Sequence, residues 1–114
     1  MKLQIEGQNL RVRIGEEELA RLLAGDAIAA STTFARAFAI RCTLRLGAGD
    51  AALFGGQPDD WQIDIPEVAV REHVQRLPTR EGLGFMLEGP QDGETLELLF
   101  DVDVRDSVRQ RRRS

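Results

Sequence analysis

Along most of this chain apolar and polar residues alternate, and the alternation gives way twice to helical spacing. In Met1 to Glu6, Leu3 and Ile5 face one way and Lys2, Gln4 and Glu6 the other, the signature of a half-buried strand. Gly7-Gln8-Asn9 turns the chain, and Leu10, Val12 and Ile14 against Arg11 and Arg13 make a second strand, so the two segments form a hairpin. Gly15-Glu16-Glu17-Glu18 then opens a helix with acidic residues in its first turn, where they complement the macrodipole. Leu19, Leu22 and Leu23 follow at helical spacing, and Gly25 supplies the stop.

Ala27 to Phe34 reads as a strand on the strength of Ile28, Thr32 and Thr33. Phe38 to Leu46 gives the clearest strand, with Phe38, Ile40, Cys42, Leu44 and Leu46 on one face and Arg41, Thr43 and Arg45 on the other. Turns follow at Gly47 to Asp50 and at Gly55 to Asp60, with a brief strand from Ala51 to Phe54 between them. Trp61 to Ile65 alternates again. Pro66 suits the first position of a helix running to about Leu77, with Val70, Val74 and Leu77 as its apolar stripe and Pro78 as its end. Leu83 to Glu88 and Thr95 to Val104, joined by the turn residues Gly89 to Gly93, complete a second hairpin.

Hairpins at both ends, without a repeated strand-helix-strand rhythm, predict an α+β fold. The expected architecture is a mainly antiparallel, curved sheet of six to seven strands with two helices packed on one face. Residues 1–104 form the single domain, and 105–114 a basic, disordered tail with Val108 as its only apolar residue.

Composition narrows the class of protein. A chain of 114 residues with 42% hydrophobic and 30% charged residues supports one core without a staple. Its one cysteine, Cys42, excludes an internal disulfide and a cysteine-built metal site, which fits a reducing, cytoplasmic setting. The opening MKLQIEGQNL lacks the continuous apolar run of a signal peptide, and no segment approaches the roughly 20 apolar residues that span a bilayer. Net charge is −4, yet five arginines lie in the last ten residues, so the rest of the chain is more acidic than the total suggests. An acidic body argues against nucleic acid as the main ligand, because phosphate contacts need clustered basic residues.

The candidate chemistry sits on the polar side of the strands. Arg11, Arg13, Arg41 and Arg45 share that side with Glu6, Asp64, Glu97, Asp101 and Asp103. On a strongly curved sheet the four arginines would converge and hold a phosphate or carboxylate in bidentate fashion. On a flat sheet they are cross-strand ion pairs in water. Glu6, Glu97, Asp101 and Asp103 are the candidate ligands for a divalent cation. Cys42 belongs to the buried row, where a thiol is inert. His73, the only histidine, points to solvent on the second helix and has no triad or metal partner in the pattern. Gly82 and Gly84 are not a phosphate loop, since neither G-x-G-x-x-G nor a following GK[ST] is present.

Several short motifs resemble an uncharacterised family of small bacterial proteins, a domain of unknown function. They are Lys2-x-x-Ile5 with Leu10-Arg11-x-Arg13-Ile14, Ile65-Pro66, Gly82-x-Gly84-Phe85, and Leu98-Leu99-Phe100-Asp101. Members of that family often close with Glu-Lys-Asp-Phe and a cysteine, where this chain has Phe100-Asp101-Val102-Asp103-Val104. The resemblance implies an architecture and no activity. The mixed-charge face is also similar to that of the triphosphate tunnel enzymes, although Lys2-x-Gln4-x-Glu6 stands where those begin Glu-x-Glu-x-Lys.

Two functions follow. The leading expectation is a non-enzymatic cytoplasmic domain, without cofactor, that binds a partner protein or a small anionic ligand through Arg11, Arg13, Arg41 and Arg45. Its alternative is a metal-dependent phosphate-ester or polyphosphate hydrolase using the same arginines with Glu6, Glu97, Asp101 and Asp103. The oligomeric state is open.

Overall fold

Eight strands and two helices succeed one another among the residues described by the computed structural model, which are 1–104. In chain order they are β1 (Lys2–Glu6), β2 (Asn9–Gly15), α1 (Glu16–Leu23), β3 (Ile28–Phe34), β4 (Phe38–Gly47), β5 (Leu53–Gln57), β6 (Asp60–Pro66), α2 (Glu67–Val74), β7 (Leu83–Glu88) and β8 (Thr95–Asp103). The expected tail at 105–114 lies outside the described residues.

The expectation of one curved, mainly antiparallel sheet is overturned. The strands form two separate four-stranded mixed sheets, one in the order β1-β2-β8-β7 and the other β3-β4-β6-β5. Four hairpins are antiparallel, the terminal ones β1-β2 and β7-β8 as expected, but each sheet is joined at its centre by a parallel pair, β2 with β8 and β4 with β6. Alternation specifies which face a side chain occupies and says nothing about which strand lies alongside. Asn9 and Glu97 are register partners across almost the whole chain, a relation no local pattern can carry.

The buried faces of the two sheets meet in one core. Leu10, Val12, Ile14, Leu98, Phe100 and Val102 come from the first sheet, and Ile28, Cys42, Leu44, Ile63 and Ile65 from the second. The helices add Leu19 and Leu22 from α1 and Val70 from α2. They do not lie side by side on one sheet face, as expected. α1 touches strands of both sheets, as does α2, so each helix bridges the two layers.

Local signals set the helix ends. Glu18 reaches back to accept a hydrogen bond from the Gly15 N–H at 3.1 Å, satisfying a donor at the start of α1. Pro66 stands just before α2 with extended backbone, not inside its first turn, and α2 stops at Val74, short of the expected Leu77. Arg71 on α2 donates to the Leu23 carbonyl at the end of α1 at 2.9 Å, tying the two helices together.

The two halves of the chain repeat one plan. Hairpin β1-β2, α1 and hairpin β3-β4 correspond in order to hairpin β5-β6, α2 and hairpin β7-β8. The shift from Lys2 to Leu53 recurs from Asn9 to Asp60 and from Glu16 to Glu67. Registers follow suit: Val12 opposes Phe100 as Ile63 opposes Leu44. Each half gives its first hairpin to one sheet and its second to the other, so the sheets are related by an internal two-fold exchange. His73 thereby occupies the place of Leu22.

Candidate functional site: two clefts between the sheets

Strand polarity and pairing decide where the arginines go. Arg11 and Arg13 project from β2 on the outer face of the first sheet, and Arg41 and Arg45 from β4 on the outer face of the second. The core separates these faces, so the four guanidinium groups do not converge on one ligand. Arg13 Nε lies 3.3 Å from Asp101 Oδ2, and Arg45 Nε lies 3.0 Å from Asp64 Oδ1. Arg45 also donates to the Gln62 side-chain oxygen. These are the cross-strand pairs of a wetted sheet surface.

Arg11 shares a shallow depression of about 340 Å³ with Gln4, Glu6, Asn9 and Glu97. The two carboxylates beside it compete with any anion for its charge. Glu6, Glu97, Asp101 and Asp103 all belong to the first sheet, in β1 and β8. Among the described residues, no group of three or more His, Cys, Asp or Glu side chains stands close enough together to hold a metal ion.

Two single residues differ in outcome. Cys42 is buried in the apolar row as expected, at 1% exposure, and burial pushes its thiol up to about 11. His73 overturns its expectation: it is 2% exposed, not solvent-facing. Its ring meets Phe100 edge-on at 6.5 Å, its Nε2 has no hydrogen-bond partner, and burial, aided by Arg76 and opposed by Asp101, holds its pKa below the usual value. His73 stands three residues after the buried Val70 and so shares its inward face, alongside the expected stripe residues Val74 and Leu77, which pack partly buried against the core.

Two further concave features lie between the sheets. In the first cleft, Leu3 and Ile5 of β1 face Ala30 and Phe34 of β3 and Ile40 and Cys42 of β4, with Trp61 of β6 beside them. Its volume is about 400 Å³, and among the described residues no charged side chain lines it. Ile5 is 64% exposed at its mouth, and Phe34 packs on the exposed Phe38 with ring centroids 5.1 Å apart. Alternation places Leu3, Ile5 and Ile40 on the apolar faces of their strands, and it assigns no face to Phe34. What it could not show is that the opposed strand ends leave a gap.

The second cleft is its counterpart under the internal two-fold. Phe54 and Leu96 stand there as Leu3 and Ile40 stand in the first. Its volume is about 440 Å³, and its lining includes Leu53, Leu87, Gln8, Glu88 and Glu94. Trp61 touches both regions, since its ring lies 5.8 Å from that of Phe54. No protein-family model matches the chain, and comparison with curated proteins finds no relative.

Proposed function

We propose that this protein is a binding domain whose ligand is a small, uncharged apolar molecule seated between the sheets in the first cleft. The observation that carries the reading is the cleft itself: about 400 Å³ of open space lined mainly by aliphatic and aromatic side chains, with Thr32 and Cys42 beside them, while the Met1 ammonium is already paired with Glu18. That volume falls in the range of small-molecule sites, roughly 300 to 1,000 Å³. Apolar side chains held open to water at Ile5 and Phe34 are an unfavourable arrangement that a ligand relieves by covering them. The reading of one arginine-rich face gripping an anion draws no support from the geometry, because its four arginines are split between opposite faces.

Trp61 provides the test, being the only tryptophan in the chain and part of the cleft wall. Titration with decanol and with naphthalene is expected to change its emission saturably, and Phe34→Asp to weaken the response about tenfold. Absence of a saturable change with both probes sinks the proposal.

A further inference from the structure

We propose that the second cleft is a separate site for an organic ammonium ion with an apolar body. Three observations point there. The space is as large as the first cleft, at about 440 Å³, and has an apolar floor including Phe54, Leu87 and Leu96. Among the described residues its charged lining is of one sign: Glu88 and Glu94 belong to it, and no lysine, arginine or histidine does. Gln8 spends its amide N–H on the Thr95 carbonyl at 2.9 Å, which leaves its side-chain oxygen as a further acceptor. Acceptors and carboxylates without a cation call for a ligand that brings both donors and positive charge.

Phe54 refines the class. It is 40% exposed and belongs to the cleft lining, so an aromatic residue and two acidic residues border one small space. An ammonium group interacts favourably with both, by charge pairing and by cation–π contact. The apolar floor selects for a hydrocarbon body over a bare inorganic cation. The internal two-fold thus gives one fold two clefts of different chemistry, neutral on one side and acidic on the other.

Phenethylamine, charged at neutral pH, and its uncharged isostere 2-phenylethanol distinguish the two chemistries. Binding is followed by Trp61 emission, because the Trp61 ring packs against Phe54, and by calorimetry. The amine is expected to bind at least tenfold more tightly than the alcohol, with an affinity that falls as salt is raised. The double variant Glu88→Gln/Glu94→Gln, checked by its melting transition, is expected to lose that margin, and each single variant part of it. Phe34→Asp, in the first cleft, is expected to leave amine binding unchanged, so the two proposals stand or fall separately. Equal affinity for amine and alcohol, no amine binding at millimolar concentration, or unchanged binding in folded Glu88→Gln/Glu94→Gln overturns this one.

Discussion

Arg13 on β2 faces Asp101 on β8, with Nε and Oδ2 3.3 Å apart, at the position where the other half of the molecule pairs Asp64 on β6 with Arg45 on β4. The two ion pairs are equivalent under the internal two-fold, and their polarity is reversed. Each sits across the parallel strand pair that joins two distant hairpins. Opposite charge in register favours that pairing, and like charge opposes it. Neither Arg13 Nε nor Asp64 Oδ1 makes an aligned hydrogen bond, so the contribution is mainly Coulombic.

Charge reversal tests this arrangement. Arg13→Asp sets two carboxylates side by side across β2 and β8 and is expected to lower stability by about 1 kcal/mol, given partial solvent screening. Arg13→Asp/Asp101→Arg, which copies the polarity of the other half, should recover most of the loss. Urea unfolding of the two single variants and the double variant measures the coupling. A double variant no more stable than the sum of its singles would show that the pair does not couple the strands.

His73 makes stability depend on pH in a defined direction. Its pKa in the fold lies below the usual 6.5, so below that value the unfolded chain binds the extra proton more readily. The neutral ring therefore supports the fold above about pH 6.5, and stability is lost as pH falls from there towards the depressed value. His73→Leu puts at this position the residue type that Leu22 supplies in the first half, and removes a buried nitrogen without a partner. It is expected to raise stability at pH 7 by about 1 kcal/mol and to flatten this part of the pH profile. Thermal melts between pH 5 and pH 8 check both effects.

These residues mark what the pattern could and could not disclose. Alternation assigned Cys42, Leu44 and Ile63 to the core and Arg41 and Arg45 to the polar face, because side-chain direction in a strand is a local property. It also delimited both helices to within a few residues. The partition into two sheets depends on β2 meeting β8 and β4 meeting β6, which are long-range choices. The same blindness scattered the candidate arginines: they looked like one face because face was reckoned relative to each strand, and the strands belong to different sheets. The repeat was hidden for another reason. Equivalent positions exchange Arg13 for Asp64 and Leu22 for His73, so the halves share spacing and not composition.

Gly56 shows where spacing alone needs a special residue. It occupies in β5 the place of Ile5 in β1, but with φ of +96°. A Cβ there would collide with the backbone carbonyl of Asp60, which cannot swing aside as a long side chain can. Gly56→Ala combines a left-handed backbone penalty with that clash and is expected to cost about 1–3 kcal/mol or more. Gly55→Ala, one residue earlier with open space around its Cβ, is the control and should cost clearly less. Chemical denaturation of both variants decides it, and equal losses would place the cost in β5 as a whole.

Cys42 supplies a final measurement, on how tightly the sheets close beneath the first cleft. Its residue lines that cleft yet is only 1% exposed, and its thiol is pushed up to about 11 by burial. Only the thiolate reacts rapidly with disulfide reagents, and at pH 7.5 almost none is present in the fold. Labelling with a thiol-reactive disulfide should therefore be slow in the native protein and fast in urea, with a native rate governed by opening of the structure. An occupied cleft covers the same wall, so saturating decanol should slow native labelling further. Fast native labelling unaffected by decanol would mean that the sheets part at this point without a ligand, and that the cleft is wider in solution than its lining suggests.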